Sequence, residues 1–433
     1  MREAKLQKAF RICFWLLLGL SSSVSADVFP GEVLDETTWE KAEGLLPGPV
    51  LEWVKRGDFM LRLGELNYDP GAFLPEFASN ALETNAGKYE LDANDGIINV
   101  ESGKAPDSIE GLPFPRIDPA DPKAAHKIMY NNHYMQYLPG NLRFPFQFMW
   151  VATSGFEREV ECEWLQLPMD GHPGTKAMRN PKRIEKYSIV LVKRPYDIAG
   201  TAMMLWRYFD PDQLDMTFGY LPAIRRVRRM SPANRSDAFI GTDACMDDAN
   251  GYDGKIPAFE WKLLRVQDAV LPFLSKDPVL IVQNERGEWE TTKEIKSLEY
   301  GYQREGSTGA SWAPANLVWT KRSAYVLEMT PKDRYYNYGA HYLWVDTELF
   351  CCNYKVIYDR SGAYWKTFYL SNTAYESADG KMRFTSIASQ QMVDDRSEHS
   401  TILEDASPRN RWAFYARMNT NDFSLAGFQK YCK

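Results

Sequence analysis

The sequence predicts a mainly β protein of α+β type: one large, strongly curved antiparallel sheet with helices covering its concave side. Three observations carry this. From Phe144 onward, short aromatic and β-branched runs recur between Gly, Pro and Asp turns, at the regular spacing of a meandering sheet. In several runs large apolar residues alternate, as in a strand with one greasy face: Tyr325, Leu327 and Met329; Tyr364, Phe368 and Leu370. A sheet of ten or more strands must close or be covered, because open edges and bare apolar faces are liabilities in water.

The chain begins with an expected export signal. MREAKLQKAFR carries four basic residues and one acid, Ile12 to Leu20 is an apolar run of nine, and Val24 and Ala26 are small residues placing a cut before Asp27. A membrane anchor needs about 20 apolar residues, more than this run supplies. Cys13 lacks the small-residue context of a lipidated cysteine, so a free periplasmic product is expected. ETTWEKAEGLL and PVLEWVKRG read as two short helices parted by Pro47, Gly48 and Pro49. An extended, turn-rich stretch follows, then a helix from Pro122 to about Tyr137.

The strands come in two series. FPFQFMWVAT, EREVECEWLQL, YSIVLVKR, TAMMLWRYF and MTFGYLPAIRRVRRM form the first; AYVLEMT, HYLWVDTEL, CNYKVIYD, AYWKTFYL, MRFTSIASQQMV and STILED the second. YDRSGAYWK is the clearest hairpin, turning at Asp359 to Gly362. The N-terminal helices and Pro257 to Phe273 are the expected covers of the sheet. No Ser/Gly linker or charge run divides the series, so 111–433 reads as one domain with 27–110 packed on it.

Charge and cysteines narrow the function. The chain has 51 basic and 58 acidic residues, a net charge of −7, which becomes −10 without residues 1–26. Nucleic-acid binding needs a basic surface and is excluded on this ground. Cys162, Cys245, Cys351, Cys352 and Cys432 remain after the signal, and an oxidising compartment predicts one disulfide among them. Cys351 and Cys352 are adjacent on a strand and point to opposite faces.

Catalytic signatures are missing: GxGxxG, P-loop, GxSxG, CxxC and HExxH do not occur. Ser311, between Gly309 and Ala313, lacks the strand-turn-helix context of a nucleophile. His126, His133, His172, His341 and His399 are scattered, so no catalytic residue, metal or cofactor is assigned. LDANDGIINVE is shorter than a calcium loop and reads as a turn before a strand. Asp243, Asp247, Asp248 and Asp253 either hold calcium or cap a helix start, the second reading being simpler. In RRVRRM, Arg225 and Arg229 would face one side of a strand and Arg226 and Arg228 the other. They form either a head-group or partner patch, or ion pairs with that acid cluster.

The segment from Trp206 to Phe273 resembles the central motif of the LolA-like superfamily, in its large Gram-negative branch labelled outer membrane lipoprotein-sorting protein. The resemblance lies in Leu221-Pro222 before the arginine run, the turn at 241–243, Gly251 to Gly254, and Glu260 to Leu263. VLEMTPKD, HYLWVDTELF and YDRSGAYWK continue it downstream, and GLPFP at 111–115 upstream. It implies an incomplete barrel around an apolar cavity, a lipid or hydrophobic small-molecule ligand, and association with an RND-type exporter or an outer-membrane protein. Trp206, Tyr208, Tyr325, Leu327, Trp344, Trp365 and Phe368 are the expected cavity residues. The rival expectations are a docking protein with a packed interior and an envelope glycan hydrolase acting through two carboxylates.

Overall fold

The computed structural model describes residues 28–231, 235–292, 297–405 and 411–432; the expected export signal lies outside them. Two small antiparallel pairs come first: β1 (Val33–Leu34) with β2 (Leu61–Arg62), and β3 (Tyr89–Leu91) with β4 (Ile97–Asn99). The main sheet has sixteen strands. Its first series is β5 (Leu142–Ala152), β6 (Gly155–Pro168), β7 (Ile184–Arg194), β8 (Ala202–Tyr208), β9 (Met216–Leu221) and β10 (Arg226–Arg229). These pair antiparallel in chain order, and β10 ends the sheet as a free edge.

The remaining strands are β11 (Phe259–Phe273), β12 (Val279–Gln283), β13 (Trp289–Thr291), β14 (Val318–Pro331), β15 (His341–Asp346), β16 (Cys352–Tyr358), β17 (Tyr364–Ser377), β18 (Arg383–Asp394), β19 (His399–Asp405) and β20 (Ala413–Phe414). β14 to β19 pair in chain order, and β19 then pairs with β5, joining the two series. The Asp359–Gly362 turn forms as expected, with Asp359 Oδ1 accepting from the Ser361 and Ala363 amides. The sheet is curved and mixed: β17 pairs parallel with β11 at one position and with β12 over three.

Two expectations are corrected. Residues 259–273 do not cover the sheet but form its longest strand, paired along its length with β14 around a bulge between Leu263 and Arg265. The bulge shifts which side each residue faces, and this breaks the alternation that would have marked a strand. The cysteines form no disulfide: all five are free thiols, four of them buried.

Helices α1 (Gly48–Lys55), α2 (Glu76–Asn85), α3 (Ala124–Met135) and α4 (Leu425–Tyr431) pack on different faces. α3 is buried nearly throughout against Leu327, Leu343 and Phe368. α1 instead packs with Trp344, Tyr354 and Tyr369 on the opposite face, as do Ala42, Leu45 and Leu46 of the first expected helix, so neither N-terminal helix expected as a cover lies with the residues of α3. α4 seats Phe428 against β7 to β9 on the face that carries Ile189 and Met204.

The seam between the series holds a displaced carboxyl. Glu404 of β19 faces Gln147 of β5, and Tyr300 Oη donates to it at 2.9 Å. Burial pushes Glu404 up to about 7, the hydrogen bonds from Tyr300 and Gln147 opposing this and Asp405 adding to it. The unfolded chain releases this proton near the ordinary value of 4.5. Between those values the folded state binds more protons, so stability falls as pH rises. Glu404→Gln is expected to stabilise the protein by roughly 1–2 kcal/mol at about pH 8 and to be nearly neutral at about pH 5, measured by urea unfolding.

Candidate functional site

Register builds one continuous face across the middle of the sheet. Trp164 of β6 lies opposite Phe144 of β5 and Val190 of β7; Val190 lies opposite Met203 of β8, and Met203 opposite Gly219 of β9. Directly paired residues share a face, so these form a row, with Ser188 and Leu205 beside it. Beyond β5 the face continues through Leu403 opposite Phe148, Thr401 opposite Met392, and Met392 opposite Phe368.

The loop 235–256 lies over this face and leaves a cavity of about 130 Å³ beneath it. Phe239, Ala244, Cys245 and Met246 of the loop form the roof; Phe148, Trp164, Val190, Met203, Leu205 and Phe368 line the floor and sides. A second cavity of about 350 Å³ opens toward the β9–β10 edge, sharing Val190, Met203, Phe239 and Met246 as its dividing wall. A third of about 40 Å³ adjoins on the other side across Trp164 and Gln390. Methionines at the dividing wall are unbranched and can repack around different shapes.

A buried ionic network holds the loop. Lys186, Arg207 and Lys355 are among the most deeply buried side chains of the protein. Asp253 accepts from Lys186 Nζ (2.6 Å) and Arg207 Nη1 (2.7 Å), and Arg207 Nε and Nη2 also reach Asp215 Oδ2 (3.1 and 2.9 Å). Arg235 bridges Asp215 (3.2 Å) and Asp247 (2.7 Å), and donates to the Asp253 carbonyl at 2.7 Å. Lys355 of β16 binds Asp248 Oδ1 (2.5 Å) and the Gly251 carbonyl (2.6 Å). Four cations thus meet four carboxylates, and the loop is tied to β7, β8 and β16 at once. Burial opposes charge on Asp253, yet Arg207 and Lys186 together hold its carboxyl well below the usual range.

Local chemistry fits the loop to this role. Asp248 accepts the Cys245 amide (2.7 Å) and closes a single 3-10 turn over Met246–Asp248. Gly251 has φ +85°, and a Cβ there would come within 2.4 Å of the Cys352 Cβ, so the loop can approach β16 only with glycine. Further along, His399 Nδ1 meets Asp243 Oδ2 at 2.7 Å, while Thr401 Oγ1 donates to the same carboxylate oxygen. The hydrogen bond to Asp243 is the main reason the His399 imidazole is raised, with burial opposing it.

The expected cavity residues divide by strand phase. Phe368 lines the central cavity. Tyr325 and Leu327 share its face but lie beneath α3. Trp206 and Tyr208 sit on the opposite face of β8, where Trp206 Nε1 donates to the Phe423 carbonyl (3.0 Å). Trp344 is likewise on the opposite face from Leu343, and Trp365 donates to Asp394 at a strand end (2.9 Å). The β8 run AMMLWRY is apolar on both faces, so Met203 and Leu205 carried no signal that set them apart from Trp206. Arg207 did: a charged residue inside an apolar strand run signals a buried partner.

The arginine run is corrected. Arg225 lies outside β10, in a turn at φ +49°; Arg226 and Arg228 share the face of Gly219 and Leu221, and Arg229 faces the side of Phe218. The acid cluster pairs with Lys186, Arg207, Arg235, Lys355 and His399 instead of this run. Its loop folds back over the middle of the sheet, while β10 closes onto β9 at the free edge. Capping by Asp248 occurs, but on one short turn, and ion pairing is the larger role. Among the described residues no cluster of His, Cys, Asp and Glu has metal-ligand geometry.

Removing one partner of a buried pair leaves an uncompensated charge, so Lys355→Met is expected to cost about 3–5 kcal/mol in urea unfolding at neutral pH. Adding Asp248→Asn should recover a large part of that loss, because the stranded carboxylate is then gone.

Comparison with curated proteins gives no match. Among solved structures the chain is similar to a putative outer membrane lipoprotein-sorting protein domain from Vibrio parahaemolyticus, at 16% identity and a TM-score of 0.46 over 70% of this chain and 97% of that one. A DUF1329 family protein from Desulfovibrio piger gives 15% and 0.44, over 72% and 99%. The LolA superfamily protein NE2245 from Nitrosomonas europaea gives 15% and 0.40, over 69% and 97%. Membership is settled by a family profile that matches nearly the whole described chain: through residues 35–429 the protein belongs to the family described as protein of unknown function, DUF1329.

Proposed function

We propose that this protein binds a lipid or other apolar ligand in the tract beneath residues 239–249 and carries it in the periplasm, without catalysis, as an accessory to envelope lipid transport. The observation that supports this most is the set of adjoining cavities, of about 40, 130 and 350 Å³, walled mainly by apolar side chains and leading to one sheet edge. Together they fall within the range of roughly 300–1,000 Å³ common for small-molecule sites. Transfer of an apolar chain into such a tract recovers about 25 cal/mol per Å² removed from water, which is the physical reason a carrier shields its cargo.

Polar groups also border the apolar floor. Ser188, Thr242, Gln390 and Thr401 also border the central cavity, together with Arg235, Asp248 and Asp253 of the ionic network. A largely apolar ligand carrying a small polar group matches this mixed lining. The exporter partner expected from the family resemblance belongs to the same reading, with the protein receiving or delivering cargo at a membrane complex.

The test is to purify the protein from a periplasmic extract without detergent, extract it with organic solvent, and identify lipids by mass spectrometry against a non-binding control. A stoichiometric lipid is expected, reduced about tenfold or more in Met203→Glu because a charge then stands in the dividing wall. If the well-folded protein carries no more lipid than the control, the carrier reading fails.

A further inference from the structure

The hairpin of β9 and β10 is the one place where the described sheet ends in a free edge beside the open cavity. Leu221, Ile224 and Met230 project from it, with 52%, 47% and 39% of their surfaces exposed. Arg225, Arg226, Arg228 and Arg229 are all exposed beside them. None of the four makes an ion pair among the described residues, while the acids of the loop network pair with Arg207, Arg235 and the lysines. Arg228, Leu221 and Met230 also line the 350 Å³ cavity, so its mouth is rimmed by both kinds of side chain. Asp237 stands across that mouth and is engaged by Asn337 Nδ2 at 3.0 Å.

We propose that this hairpin is a membrane-docking tip that seats the cavity mouth on the surface of an anionic lipid bilayer. Charge complementarity argues for this occupant. The whole chain carries −7, and this edge concentrates four exposed arginines beside the cavity mouth, so their local field favours turning the mouth toward an anionic bilayer. An acidic protein would satisfy the arginines alone. A lipid interface satisfies the arginines at the head groups and the three apolar side chains below them.

The base of the hairpin is braced. Gln429 of α4 donates to the Arg225 carbonyl (3.4 Å), and Gly200 closes on both Pro222 and the Cys432 carbonyl. The tip therefore presents its side chains from a supported edge. Arginines on a terminal strand also discourage pairing with a second sheet, but that role requires neither the apolar residues nor the adjoining cavity.

The test uses flotation of the full protein with vesicles of phosphatidylcholine alone or mixed with phosphatidylglycerol. Binding is expected only to the anionic vesicles, weakening as salt rises. The combined replacement Arg225→Gln, Arg226→Gln, Arg228→Gln and Arg229→Gln should lower it by roughly tenfold or more, at about one strong surface contact per arginine. The matching lysine replacements should restore it, which separates charge from misfolding. Leu221→Ser with Ile224→Ser should weaken binding while leaving its salt dependence in place. No binding by the wild-type protein, equal binding to neutral vesicles, or unchanged binding by the glutamine variant would overturn the proposal; the last would leave the arginines to an acidic protein partner. The proposal rests on the ligand-carrying reading only for the use of the mouth: lipid retention is measured without vesicles, so each can fail alone.

Discussion

Four buried cations and four buried carboxylates hold loop 235–256 against three strands, and the candidate site exists because of that constraint. Lys186 and Arg207 lie side by side on the sheet face, opposite each other in the β7–β8 ladder. Without Asp253 and Asp215 they would place two uncompensated charges in the interior, at a cost of several kcal/mol each. The same pairs, once formed, leave the loop few alternative positions: Arg235 reads Asp215 and Asp247 together, and Lys355 reads Asp248 from the far side. Such networks are a poor source of net stability, but they specify one geometry, because a shifted loop strands a charge.

That specificity is what permits a cavity beneath an otherwise tightly packed protein. An apolar roof held only by hydrophobic contact would collapse onto Met203 and Phe148, since packing rewards the loss of void space. Here the roof residues Phe239, Ala244 and Met246 are carried by a segment whose height above the sheet is set elsewhere, by ion pairs and by the close approach of Gly251 to Cys352. The division of labour is physical. Rigid polar contacts of Arg235, Asp247, Asp248 and Asp253 fix the frame, and flexible methionines at the dividing wall give it room to adapt.

The strand runs from Phe144 to Tyr208 and from Ala324 to Asp405 were legible because each is short, apolar and bounded by turn residues. β11 was not, since its bulge breaks the alternation, and β12, β13 and β20 are too short to carry a period. The site was half legible. Phe368 lies where alternation put it, whereas Trp206 and Met203 differ only in phase, on a strand that is apolar on both sides. Asp247, Asp248 and Asp253 stood out as a cluster, but their partners come from β7, β8, β16 and Arg235, and no local spacing reports a contact between residues 46 or 107 positions apart.

The sequence by itself determined the class of the protein: a β-rich chain with an acidic balance, a pattern of half-buried strands and no motif for metal or nucleophile chemistry. These follow from composition and from periods of two, which are local properties. Only the tertiary structure decided which face of each strand is the floor of the tract, which acids meet which bases, and that the arginine hairpin rims an open cavity. A one-residue change of phase reverses a strand's faces, and a buried charge is tolerated only beside its partner, so both are settled by contacts between segments far apart in the chain.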